Sequence, residues 1–328
     1  VKGGFETMRT AEAQAPAVDA VILKKEKRKR LLNKLMQQKY LYFMILPGCI
    51  YFLLFKYVPM WGIVIAFQDY QPFLGIWGSE WVGLKHFIRL FTEPTFFVLL
   101  KNTLVLFALN LVIFFPVPIL LALLLNEVRI ALFKKFVQTL IYIPHFMSWV
   151  IVVSLSFVLL TVDGGLINEL ITFFGGEKIN FLLNEEWFRP LYILQVIWRE
   201  AGWSTIIYLA AMTAVDPQLY EAAKMDGAGR LRQMWHITLP AIKSVIVVLL
   251  ILKIGDTLEL GFEHVYLLLN ATNREVAEIF DTYVYTAGLK QGQFSYSTAV
   301  GVFKAAVGLI LVMLANRLAK KFGEEGIY

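Results

Sequence analysis

Apolar blocks of roughly 20 residues or more recur along the chain, each bounded by charged residues. A helix of that length crosses a hydrocarbon core of about 30 Å. The blocks therefore predict an all-α, polytopic membrane protein with six transmembrane helices, at about 41–67, 97–125, 137–161, 190–214, 244–268 and 298–318. Composition excludes the alternative of a soluble helical core. Hydrophobic residues make up 58% of the chain and charged residues 17%, against about 25% charged in ordinary soluble domains. Pro47 and Pro59 in the first block, and Pro116 and Pro118 in the second, predict kinked rather than straight helices. In the last block Gly301, Ala305, Ala306 and Gly308 offer a small-residue packing face.

The formal net charge of +6 does not point to nucleic acid, because the basic residues flank the spans. The N-terminal run from Lys24, the loops 126–136 and 215–243, and the tail from 319 hold 17 Lys or Arg; the loops 68–96, 162–189 and 269–297 hold 6. The positive-inside rule then puts both termini in the cytoplasm of a cell-membrane protein, and an even number of spans gives the same topology. Residues 1–38 are expected to form a cytoplasmic tail, 39–320 the transmembrane domain, and 321–328 a second tail. The block Leu41–Phe67 is too long for a signal-peptide core and is expected to be an uncleaved anchor. The one cysteine, Cys49, is expected to be a small buried hydrophobe. The four histidines and this cysteine are scattered, so no metal and no cofactor is expected.

The cytoplasmic loop 215–243 has its own design. Asp216 and Pro217 read as the cap and first position of a short helix. Ala222 and Ala223 leave a smooth surface on it, and Gly227 and Gly229 permit a tight turn. An amphipathic segment follows, with Leu231, Met234, Trp235 and Ile237 among Arg230, Arg232 and Gln233, and Pro240 ends it. Such a helix–turn–helix fits a docking element for another protein, and equally a helix lying on the lipid surface.

The stretch EAAKMDGAGRLRQMWHITLP, residues 221–240, resembles the EAA loop of ABC-importer permease subunits of the binding-protein-dependent type. The match runs through Glu221, Ala222, Ala223, Asp226, Gly227, Ala228, Ile237, Leu239 and Pro240. Trp81–Phe87 resembles a "VGLxNF" element of sugar permeases, with His86 where asparagine is usual. Gly261–Glu263 and the stretch from Asp281 to Lys320 resemble the polysaccharide-type members, some of which import uronic-acid polymers. The resemblance covers about residues 38–320. It implies the type I importer permease fold and a non-catalytic transport subunit. It also implies a second related permease, two ATP-binding cassette subunits, an extracytoplasmic solute-binding protein and an oligosaccharide substrate. The helix around Glu221–Ala223 would dock in the ATPase, with Gly227 providing the bend. The chain has no GxxxxGK[ST] loop of its own.

Candidates for the substrate path are aromatic and ionisable residues in or beside spans: Trp198, Trp203, Glu259, Glu263 and Tyr266. Asp256, Glu259 and Glu263 are spaced to share one helical face. Arg199 and Glu200 are adjacent in an apolar block, as a buried pair or by snorkelling. The competing reading is an ion-coupled secondary carrier for a polar solute, which has no need of an ATPase-docking loop.

Overall fold

The computed structural model describes residues 36–321 and Gly323; the basic run and most of the two expected tails lie outside the described residues. The chain divides into two compact units, residues 1–63 and 64–328. The first holds most of helix α1 (Lys39–Phe67). This helix is apolar on every side, which is the pattern of a membrane span. Cys49 is exposed on it rather than buried.

Proline shapes the long helices in one repeated way. Pro59, Pro116 and Pro240 each follow a wide π-type turn, at Leu53–Tyr57, Asn110–Phe114 and Met234–Thr238. Proline has no N–H for the carbonyl four residues back, and its ring crowds that carbonyl. The wide turn absorbs the mismatch while the helix continues.

The second unit begins with a two-residue antiparallel hairpin, β1 (Gln68–Asp69) and β2 (Glu80–Trp81), paired Gln68 to Trp81 and Asp69 to Glu80. Gly83 turns the chain out of it at φ 62°. Buried His86 holds the Gln68 carbonyl at 3.1 Å, which gives the histidine at this position a local role. Helices α2 (Lys85–Thr92) and α3 (Pro94–Glu127) follow.

The expected span 137–161 is two helices, α4 (Ala131–Phe146) and α5 (Trp149–Leu160), bent by 101°. Pro144 tightens the end of α4 into a 3₁₀ turn, and Ser148, in extended conformation, caps α5. Next come α6 (Leu166–Phe173) and the long α7 (Glu185–Met212). Two short helices of the 215–243 loop, α8 (Pro217–Met225) and α9 (Arg230–Ala241), precede α10 (Lys243–Gly255), which bends 60° from α9. Pro240 therefore does not end α9; the break is at Ile242. The expected span 244–268 is also broken. α10 ends at Gly255, and α11 (Phe262–Leu268) starts anew after Gly261, whose φ of 88° suits glycine. The chain closes with α12 (Arg274–Ala277), α13 (Phe280–Val284, continued by a wide turn to Lys290) and α14 (Phe294–Lys321).

Among the described residues, α1, α3 and α14 are long and apolar enough to cross a bilayer, and the count rises to five if each bent pair is one span. Six is not reached by that measure: α7, whose apolar stretch is interrupted by Arg199 and Glu200, is not among the five.

α7 lies against α3 and α4, with a core around Leu106, Phe114, Val153, Tyr192 and Val265. A Cβ on Gly202 would stand 1.8 Å from the Ile141 carbonyl oxygen, so α7 and α4 meet backbone to backbone. Of the small residues expected to form a face on α14, only Gly308 makes a close approach, to the Gly255 carbonyl; Gly301, Ala305 and Ala306 are exposed. A mostly buried ion pair, Asp281 with Lys304, joins α13 to α14.

Gly202→Ala is expected to cost about 1–3 kcal/mol by overpacking, read as a lowered Tm in detergent, whereas Gly301→Ala leaves Tm unchanged. Equal effects would contradict the packing described. Asp281→Asn is expected to cost about 3–5 kcal/mol by stranding the Lys304 ammonium, and the double change Asp281→Asn with Lys304→Met to cost less than the single one. A double-mutant cycle of unfolding transitions reads the difference.

Candidate functional site

Helix α8 is held at both ends. Its cap, Asp216, accepts a hydrogen bond from the Gln218 amide at 2.9 Å, and Pro217 occupies the first position. At the other end the Ala228 amide donates to the Ala223 carbonyl at 2.8 Å and the Gly227 amide to the Lys224 carbonyl at 3.0 Å. That pair of bonds is a Schellman closure, which needs a left-handed residue between helix and exit. Gly227 supplies it at φ 76°. The glycine therefore terminates the helix in a fixed geometry.

The helices α8 and α9 are tied together. The Tyr220 and Thr238 hydroxyls meet at 2.9 Å, and Gln233 Nε2 donates to the Ala228 carbonyl at 2.7 Å. Glu221, Ala222, Lys224, Met225, Asp226 and Gly227 are exposed, while Ala223, Ile237 and Leu239 are half-buried. Met225 is 88% exposed at the tip. A groove of about 600 Å³ runs between this hairpin and the end of α3, lined by Glu127, Arg129, Tyr220, Glu221, Lys224 and Arg230 among others. Leu239 belongs instead to the apolar cluster that seats α9 on α3 and α7. The candidate coupling residues thus separate into a mostly exposed stretch, Glu221–Gly227, and an inward anchor, Leu239, with half-buried Ile237 and exposed Pro240 beside it.

The substrate-path candidates are not gathered in one place. Trp198 lines an apolar groove with Ser156 and Gln195 between α5 and α7. Trp203, five residues on, stacks on His145 with ring centroids 4.5 Å apart. Asp256, Glu259 and Glu263 do not share a helical face, because the chain leaves helix after Gly255 and re-enters it at Phe262. Among the described residues, neither Glu259 nor Glu263 has a side-chain hydrogen bond or ion pair. Tyr266 is the best connected of the five. Its hydroxyl accepts from Lys290 Nζ at 2.8 Å, and its ring meets Phe262 and Tyr285. Asn270 is occupied locally, donating to the Leu182 carbonyl and accepting from the Thr272 and Asn273 amides.

The structure also shows a polar core that the sequence did not reveal. Gln195 donates to the Ser156 hydroxyl at 2.7 Å and meets buried His264 at 2.6 Å. Trp149 is stacked on His264 at 3.8 Å, and the Arg199 guanidinium lies 4.5 Å from its ring. Arg199 is paired with Glu200, which meets His145 at 3.0 Å. The Arg199–Glu200 dipeptide is therefore a half-buried pair held by its neighbours. The i, i+4 spacing of Gln195 and Arg199 on α7, with Glu200 next to it, could have hinted at a polar stripe, but their partners on α4, α5 and α11 carry no sequence signal.

Residues 114–324 match the family described as "Binding-protein-dependent transport system inner membrane component". The chain is 97% identical over 321 residues to the polygalacturonan/rhamnogalacturonan transport system permease protein YteP of Bacillus subtilis, covering 98% of this chain and all of that one. It is 58% identical over 310 residues to protein LplB of the same organism, covering 94% of this chain and 98% of that one. The fold matches a chain of the bacterial alginate ABC transporter solved with an alginate pentasaccharide-bound periplasmic protein. The TM-score is 0.84 at 41% identity, over 91% of this chain and all of that one. The chain belongs to the inner-membrane components of binding-protein-dependent transport systems, and is a non-catalytic permease subunit of an ATP-driven importer of sugars, oligosaccharides or polysaccharides that works with a paired permease, ATPase subunits and a solute-binding protein.

Proposed function

We propose that this subunit carries acidic oligosaccharides of the galacturonate-containing class and takes up the ATPase stroke through α8. Two similarities support the substrate class. The 97% identical relative is named for polygalacturonan and rhamnogalacturonan transport. A transporter of matching fold is involved in the import of the acidic polysaccharide alginate. The coupling assignment rests on one observation. α8 is a short, exposed helix closed at both ends by hydrogen bonds and fastened to α9, so force applied at Glu221–Asp226 displaces the hairpin as a body. The runner-up, an ion-coupled carrier, gives such a helix no task.

Six crossings are part of the same reading. In it the chain crosses at α1, α3, the α4–α5 pair, α7, the α9–α10 pair and α14. The charge on α7 is internal, in the Arg199–Glu200–His145 set, or at its outer end. Both termini and the α8–α9 hairpin then face the cytoplasm, as the basic loops require.

Two experiments test this reading. Gly227→Val forces a β-branched residue to φ 76°, and Glu221→Arg reverses charge on the docking face. Each is expected to cut copurification of the ATPase subunit at least about tenfold while the paired permease still copurifies. Retention of the ATPase in both variants would remove α8 from the interface. For topology, Cys49 is replaced by alanine and single cysteines are placed at Gln291 and Gly229. An impermeant maleimide is expected to label the first in intact cells and the second only after permeabilisation. The opposite pattern would invert the orientation.

A further inference from the structure

Helix α11 has two unlike faces. His264, Val265 and Leu268 are buried in the core, while Phe262 and Tyr266, four residues apart, point the other way. There they meet Tyr285 of the turn that continues α13, with centroids 4.8 Å from Phe262 and 5.1 Å from Tyr266. The exposed Lys290 ammonium stands over this cluster, 5.2 Å from the Tyr266 ring and 5.3 Å from the Tyr285 ring. Among the described residues, no carboxylate lies within ion-pair distance of it. The hydrogen bond to Tyr266 raises the Lys290 pKa above the usual value, so the ammonium stays charged. An adjoining groove of about 380 Å³ shares Phe262 and Tyr285 as walls and offers the Ser297 and Thr298 hydroxyls. Its Asp281 is already paired with Lys304. That volume falls within the range of small-ligand sites.

We infer that Phe262, Tyr285 and Lys290 form a subsite for one uronate residue of an acidic oligosaccharide. The aromatic faces stack on the sugar's C–H surface, and the ammonium receives its carboxylate. Aromatic rings give the apolar contact, and a lysine held by cation–π contact stays exposed and positive for an anion. The two groove hydroxyls, whose protons go to the Val284 and Phe294 carbonyls, can accept hydrogen bonds from sugar hydroxyls. This subsite rests on the acidic-substrate reading above.

The test measures equilibrium binding of digalacturonate to the assembled importer, trapped with vanadate and without its solute-binding protein. A charge-assisted hydrogen bond supports a tenfold or larger effect. Lys290→Met is therefore expected to raise Kd about tenfold, Lys290→Arg to stay within about threefold of wild type, and Tyr285→Leu to weaken binding as Lys290→Met does. Wild-type Kd is expected to rise with salt, and that of Lys290→Met to respond less. Unchanged binding in Lys290→Met, or equal loss in Lys290→Arg, would overturn the subsite alone. Wild-type protein that binds a neutral maltooligosaccharide but not digalacturonate would overturn the substrate reading and the subsite with it.

Discussion

Within a bilayer there is no water to satisfy a freed backbone carbonyl, so every break in a helix must be closed from inside the protein. The breaks in this chain meet that condition with polar side chains. Arg199 Nε donates to the Met147 carbonyl at the bend between α4 and α5, at 2.8 Å. Asn168 Nδ2 serves the Leu160, Thr161 and Ile179 carbonyls and its oxygen accepts from the Ile179 amide, which ties the chain leaving α5 to the segment beyond α6. Asn273 closes the end of α11 through the Leu268 carbonyl, and Asn102 of α3 reaches the Glu275 and Glu278 carbonyls around α12. The α4–α5 bend is thus pinned from α7, the exit of α5 from α6, and the segment around α12 from α3. The pinning makes the breaks part of the packed structure rather than loose joints.

Helix α7 gathers most of these ties. Along one helix, Tyr192 accepts from Asn110 of α3, Gln195 links Ser156 of α5 to His264 of α11, and Arg199 and Glu200 hold the turn at Met147 and His145. Gly202 then lets α4 approach to backbone contact. The Arg199–Glu200 pair that interrupts the apolar stretch of α7 is the charge that organises its neighbours. Ionisable residues at membrane depth are read first as functional sites. Here Arg199 and Glu200 are better explained as structural connectors, since both already have partners.

The same physics explains what could be read from the sequence. Block length and flanking charge located α1, α3 and α14 closely, because those helices are uninterrupted and hydropathy reports directly on them. The local structure of the loop 215–243 was legible as well. Asp216, Pro217 and Gly227 act through the backbone at their own positions, so their roles depend on local sequence alone. The bends at Met147–Ser148 and Asp256–Gly261 were not legible. Hydropathy is blind to a change of direction inside an apolar block, and the side chains that stabilise each bend come from far along the chain. For that reason the expected face of Asp256, Glu259 and Glu263 dissolved, while Tyr266 acquired Lys290 as a neighbour 24 residues away.

The route from α8 into the membrane follows from these contacts. Only residues 213–216 separate α8 from the end of α7, and the Thr213, Ala214 and Val215 amides still donate to carbonyls of α7. On its other side α8 is tied through Tyr220 to α9, which is seated on Ile242, Met212 and Tyr208. A displaced α8 must therefore carry the adjoining ends of α7 and α10 with it. A flexible glycine hinge at Gly227 would dissipate that motion, whereas the Schellman closure transmits it. At the far end, α7 holds α11 through Gln195 and His264, so movement of α7 relative to α13 would alter the spacing of Phe262 and Tyr266 from Tyr285. Packed helices shift between discrete arrangements rather than deform smoothly. A cluster divided between α11 and the α13 turn is consequently placed where one such shift changes its affinity for whatever it holds.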